Sequence, residues 1–196
     1  ESILQENAEL HALLGLRARL SRSYLTTAVV HRPTPTDSRM LLIGDGSDSG
    51  VQQFDPLVTG NGLLGFVSTV AATSAAVMTW QHPDFRASVV TGDGTVYGVV
   101  SPASSGEMGL PILQLRGVAL RDSLDIGTVV YTAGMGGVYP RGIPVGDIAS
   151  VEADPLGYER IYRVRPYVNP GRVTHATVLV APRDSTLLPL PGPERG

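Results

Sequence analysis

Residues 132–146 read Thr132-Ala133-Gly134-Met135-Gly136-Gly137-Val138-Tyr139-Pro140-Arg141-Gly142-Ile143-Pro144-Val145-Gly146. The stretch joins two β-like runs, 128–132 and 143–151. Glycine supplies backbone angles that residues with a side chain avoid, and proline stiffens a turn. No nucleophile, base or metal ligand sits inside it. Much backbone information with little chemistry points to shape, and shape points to a binding or scaffold protein. Gly134, Tyr139, Pro140, Gly142 and Gly146 are the candidate residues of a shape-critical loop or a partner surface. Tyr139 is either an aromatic anchor for a partner or a plug for the end of its own barrel.

Outward from this loop the pattern alternates with a period of two. Short apolar runs recur at 27–31, 40–43, 57–59, 64–70, 76–79, 87–91, 96–100, 112–115, 129–132, 145–151, 160–166 and 175–181. Between them lie turn signals such as Gly44-Asp45-Gly46, Gly60-Asn61-Gly62 and Gly92-Asp93-Gly94. Many short strands without helical pattern between them indicate a sandwich or small barrels. Residues 88–101 form the clearest hairpin. A weak internal repeat stands out: Asp55-Pro56-Leu57-Val58-Thr59 precedes Gly65-x-Val67-x-x-Val70, and Gly127-Thr128-Val129-Val130-Tyr131-Thr132 precedes Gly146-x-Ile148-x-x-Val151. Two related β units are the simplest reading, and two small barrels suit the chain length.

The first 20 residues read as a helix. Ile3, Asn7, Leu10, Leu14 and Arg17 fall at alternating spacings of four and three, the seam of a coiled coil, with Asn7 where a buried amide fixes register. The competing reading is an amphipathic helix packed on its own domain. At the other end, Pro182, Pro189, Pro191 and Pro193 mark 182–196 as a flexible tail.

Composition narrows the function. The 196 residues are 42% hydrophobic and 17% charged, with net charge −3 and scattered arginines, so nothing marks a nucleic-acid face. The absence of cysteine excludes disulfides, thiolate zinc sites and cysteine nucleophiles. No apolar run reaches the about 18 residues of a membrane span. The chain begins in mid-pattern, as an excised fragment with its anchor upstream would. Gly46-Ser47-Asp48-Ser49-Gly50, with His31 and Asp37 before it, sketches the triad of a trypsin-like double-barrel hydrolase, which is the alternative function. The spacing is too short for opposite barrels, and a turn whose Asp and Ser cap their own backbone accounts for the segment better. Asp45 and Asp48 miss the spacing of a calcium loop, no dinucleotide fingerprint precedes a helix, and no cofactor is expected.

Four segments in order resemble the MreC family of bacterial rod-shape-determining proteins. They are Glu6-Asn7-x-x-Leu10-x-x-Leu13-Leu14; Gly46-Ser47-x-x-Gly50-Val51 with Pro56-Leu57-Val58 and Gly62-Leu63-Leu64-Gly65-x-Val67; Gly127-x-Val129-Val130-x-Thr132-x-Gly134 with Tyr139-Pro140-x-Gly142-Ile143-Pro144-Val145-Gly146; and Val164-x-Pro166. The likeness covers roughly residues 1–181 and departs from the family at Ala133, where Ser is common, and in the proline-rich tail. It implies a mainly β fold: an N-terminal α-helix ending a coiled coil, then two small six-stranded β-barrels. The expected division is 1–22 helix, 23–45 with 122–181 as a discontinuous barrel one, 46–121 as barrel two and 182–196 as tail. The resemblance also implies an extracytoplasmic, membrane-anchored, non-catalytic scaffold. Its partners would be itself, a penicillin-binding transpeptidase, MreD and, indirectly, MreB. Self-association would use Ile3, Asn7, Leu10 and Leu14.

Overall fold

Each alternating run lies on a strand, because β-branched and aromatic residues at every second position give a chain one face to bury. The computed structural model describes residues 23–31, 38–103, 110–153 and 160–180. The strands are β1 (Ser23–His31), β2 (Met40–Ile43), β3 (Pro56–Thr59), β4 (Gly62–Val70), β5 (Ala75–Thr79), β6 (Ala87–Thr91), β7 (Tyr97–Pro102), β8 (Leu113–Val118), β9 (Val129–Thr132), β10 (Pro144–Ala153), β11 (Arg160–Pro166) and β12 (His175–Val180). The expected helix, with Ile3, Asn7, Leu10 and Leu14, lies outside the described residues, as does the tail.

The strands close into two six-stranded barrels, ordered β1-β12-β3-β4-β5-β2 and β10-β11-β8-β7-β6-β9. Barrel one encloses Leu41, Ile43, Leu57, Leu64, Val67, Val77 and Val178. Barrel two encloses Val89, Val100, Leu113, Leu115, Ile148, Tyr162 and Val164. Closure leaves no unpaired sheet edge, which removes the usual route to strand-to-strand aggregation. The expected boundaries are corrected by this pairing. β3, β4 and β5 belong with β1, β2 and β12, whereas β9 to β11 belong with β6, β7 and β8, the last three grouped as expected. Barrel one closes through β2 on β5, so the chain leaves it only after β5 and comes back with β12. Periodicity shows which residues face inward but not which strand lies alongside.

The two rings share one pairing scheme. Setting β12, β1, β2, β3, β4 and β5 against β6, β7, β8, β9, β10 and β11 reproduces every neighbour relation. Barrel two runs through the scheme without interruption. Barrel one takes the corresponding first strand from the end of the chain.

The internal repeat is the β3–β4 and β9–β10 hairpins, which hold equivalent places. Gly65 stands opposite Leu57, and Gly146 opposite Val130. A bulge precedes each glycine, at Leu64 and Val145, and a second follows at Ser68 and Ala149. The three-residue step from Val67 to Val70 and from Ile148 to Val151 is the trace of that second bulge, since an extra residue shifts the period. A Cβ on Gly65 would collide with the Met78 carbonyl oxygen, and one on Gly146 with that of Arg165. Glycine is needed at both positions because the neighbouring strand passes too close for a side chain.

Candidate functional site

The barrels meet where the two equivalent hairpins abut. Gly62 at the start of β4 lies against the Pro144 carbonyl at the start of β10. Adjacent residues on a strand face opposite ways, so β4 can serve both barrels: Leu64 joins the barrel-one core and Leu63 the barrel-two core. Trp80, on the link from β5 to β6, donates its indole N–H to the Val168 carbonyl on the link from β11 to β12, at 2.7 Å. This bond ties the outgoing and returning links together.

The glycine–proline loop caps this junction. Thr132, at the end of β9, fastens both ends of it: its hydroxyl donates to the Pro140 carbonyl (2.5 Å) and accepts from the Ile143 N–H (2.9 Å). The Ser88 hydroxyl holds the far side through the Met135 carbonyl at 2.9 Å. Gly134 and Gly142 have φ of +77° and +95°. At Gly142 nothing lies within 4 Å of a would-be Cβ, so backbone conformation alone requires glycine there. Half-buried Pro140 supplies the carbonyl that Thr132 binds. Of the two roles open to Tyr139, its burial favours the plug. It is 5% exposed, and its ring meets Phe66 edge-on at 6.3 Å and Phe85 at 6.2 Å. Its hydroxyl has no hydrogen-bond partner, and burial pushes the phenol pKa up.

One feature here has no sequence signal. Phe54 has φ of +70°, the only positive φ outside glycine among the described residues. The Phe54 N–H donates to the Val67 carbonyl (2.8 Å), and the Val67 N–H donates to the Asp55 carbonyl (2.9 Å). Two residues thus face one, in the bulge whose first position ordinarily holds glycine. A phenylalanine in that conformation costs about 1–3 kcal/mol. The residue is 53% exposed, and its ring stacks on Phe66 at 6.0 Å.

The outer side of β10 and β11 is charged. Arg165 grips Asp147 with two hydrogen bonds, and Arg163 grips Glu152 likewise, holding the Glu152 carboxyl below the usual range. A groove of about 430 Å³ adjoins these pairs, lined in part by Gln81, Leu110, Ile112 and Asn169. In the suspected nucleophile loop, the Ser49 hydroxyl donates to Asp45 at 2.8 Å, four residues earlier in its own turn. The His31 side chain and Asp37 lie outside the described residues. Among the described residues no three His, Asp or Glu side chains gather as a metal site, and no helix is long and apolar enough to cross a membrane.

Nested twin barrels joined by a shape-built loop define a double-barrel β module. The family described as rod shape-determining protein MreC, barrel core, matches residues 29–180. The chain belongs to the MreC family. It is 29% identical over 180 residues to the cell shape-determining protein MreC of Listeria monocytogenes, covering 89% of this chain and 60% of that protein. It is 27% identical over 175 residues to the Escherichia coli K12 protein of the same name, covering 89% and 47%. The chain therefore spans about half to three-fifths of these relatives. The solved structure of Listeria MreC matches with a TM-score of 0.75 at 26% identity, covering 92% of this chain and 91% of that one. MreC in a Helicobacter pylori structure, a complex with penicillin-binding protein PBP2, shares the fold at a TM-score of 0.63 and 16% identity, covering 81% and 99%.

Proposed function

We propose that this chain is a non-catalytic scaffold of the bacterial elongation machinery. It lies outside the cytoplasm, held by an anchor upstream of residue 1. Its barrels hold a penicillin-binding transpeptidase in place, and the assembly is linked through MreD to MreB. The seam of Ile3, Asn7, Leu10 and Leu14 pairs copies of the chain, and the loop carrying Gly134, Tyr139, Pro140, Gly142 and Gly146 fixes the shape of the barrel junction. The supporting comparison is the Helicobacter pylori complex, in which an MreC of this fold is bound to PBP2.

The observation that carries the reading is the junction loop. Every anchoring contact named above serves to hold a backbone shape, and the one serine loop that suggested hydrolysis spends its hydroxyl on Asp45. A pull-down of detergent-solubilised membranes with this chain, read with a fluorescent penicillin, tests it. A retained labelled band that disappears when the chain is unfolded is the expected result. No band with the folded chain, or fluorophosphonate labelling at Ser49, overturns the reading.

A further inference from the structure

The groove beside β10 and β11 opens where a strand ladder stops. β8 and β11 pair as far as Leu113 and Val164. Just beyond stand Pro111 and Pro166, and neither has an N–H with which to continue the pairing. Both line the groove, whose volume of about 430 Å³ is that of a site for a small ligand rather than for a folded partner. Its sides repeat every second residue. On β11, Arg163 and Arg165 flank buried Val164, so their side chains leave the strand on one face, about 6.6 Å apart. On the run into β8, Leu110 and Ile112 likewise stand two residues apart. An extended peptide has the same repeat, since its like-facing carbonyls and its like-facing side chains both recur at every second residue.

Charge sets the direction of such a peptide. Arg163 spends Nε and Nη2 on Glu152, and Arg165 spends the same pair on Asp147, which leaves Nη1 of each without a partner among the described residues. Glu152 lines the groove and Asp147 does not, so the lining carries two arginines against one carboxylate, with the excess positive charge at Arg165. The Arg165 side chain is 70% exposed and open to a ligand. Asn169 commits its Oδ1 to the Gly171 N–H and offers its NH2, a further donor. A guanidinium with free N–H groups binds a carboxylate more strongly than a neutral acceptor. We propose that this groove binds a short extended peptide ending in a free carboxylate. The carboxylate lies at Arg165, a backbone carbonyl at Arg163, and small apolar side chains on Leu110 and Ile112. This site goes beyond the function proposed above and does not depend on it, because no transpeptidase takes part in recognising the peptide.

The test titrates acetyl-trialanine, as the free acid and as the C-terminal amide, into the isotope-labelled 196-residue chain and follows it by NMR. The acid should shift the side-chain N–H signals of Arg163, Arg165 and Asn169 and bind about tenfold tighter than the amide. Its Kd should rise roughly threefold or more between about 50 and 500 mM salt. Arg165→Gln should bring the acid down to the affinity of the amide. Leu110→Ser, at a residue 65% exposed, should weaken acid and amide alike with Tm unchanged, and so tests the groove independently of the Asp147 pairing. Trialanines of D and L hand separate two sources of the same chemistry. Tighter binding of the D form supports the site as one for a wall peptide, and of the L form as one for a protein C-terminus. Equal binding of acid and amide, shifts centred away from the groove, or no shifts at about 10 mM peptide overturns the site. None of these outcomes bears on the transpeptidase reading, which the pull-down tests.

Discussion

The β3–β4 and β9–β10 hairpins make the same pairings, share two bulges and a glycine that no side chain can replace, and differ in how they turn. In barrel one, Gly60-Asn61 bridges Thr59 and Gly62, with the Asn61 N–H bound to the Thr59 hydroxyl. In barrel two, residues 133–142 bridge Thr132 and Ile143. The equivalent threonine does the same job in both, closing the turn with its hydroxyl. The difference teaches where the extra sequence goes. The longer loop does not lengthen the barrel; it places Tyr139 over the barrel end, against Phe66 of the other barrel. The hairpin is the part the barrels share, and the loop is what joins them.

The comparison breaks most readily at the glycines. Gly65→Val and Gly146→Val should each lower stability by on the order of 3 kcal/mol or more in urea denaturation, since neither site has room. Tolerance of one and not the other would end the equivalence. Next is the tie between the links. Trp80→Phe leaves the Val168 carbonyl unpaired, at about 1–2 kcal/mol, and separates one unfolding transition into two. The turns themselves differ in a third test. Gly142→Val should cost about 1–2 kcal/mol through its positive φ, while Gly60→Val, in open space, should cost under about 0.5 kcal/mol. Buried tyrosines sharpen the picture further. The Tyr162 hydroxyl accepts from the Leu124 N–H, so Tyr162→Phe loses about 1 kcal/mol. Tyr139→Phe sheds an unpartnered hydroxyl and gains about as much in thermal melts.

The smallest effect is electrostatic. Arg163 lowers the Glu152 pKa in the folded chain, so the pair's contribution is present above about pH 4.5 and fades as pH falls through the lowered folded value. On this exposed face it is worth about 0.5 kcal/mol, and Glu152→Gln should remove that part of the acid dependence of Tm.

Strand positions were legible because alternation is local. The repeat was legible too, and its three-residue step already carried the bulge. Partnership was not, because β2–β5 and β3–β12 closure joins segments that periodicity cannot rank. Trp80 and Val168 lie 88 residues apart, and no pattern near either announces their bond. Gly142 and Gly146 stood out as glycines, and the structure supplies a reason for each: backbone angle at one, a neighbouring carbonyl at the other. Phe54 stayed hidden because sequence marks a positive φ only when glycine or asparagine takes it. Tyr139 was ambiguous since an aromatic in a loop suits both solvent and core, and only packing against Phe66 and Phe85 separates the two.

Barrel two closes its ring with strands from one uninterrupted stretch, while barrel one closes only with the strand that returns after it. Hydrogen exchange on a chain ending at Tyr167, which lacks β12, tests this most directly. Amides of β6 to β11 should stay protected while those of β1 to β5 exchange freely. Equal protection of both sets, or loss of protection in both, would contradict it.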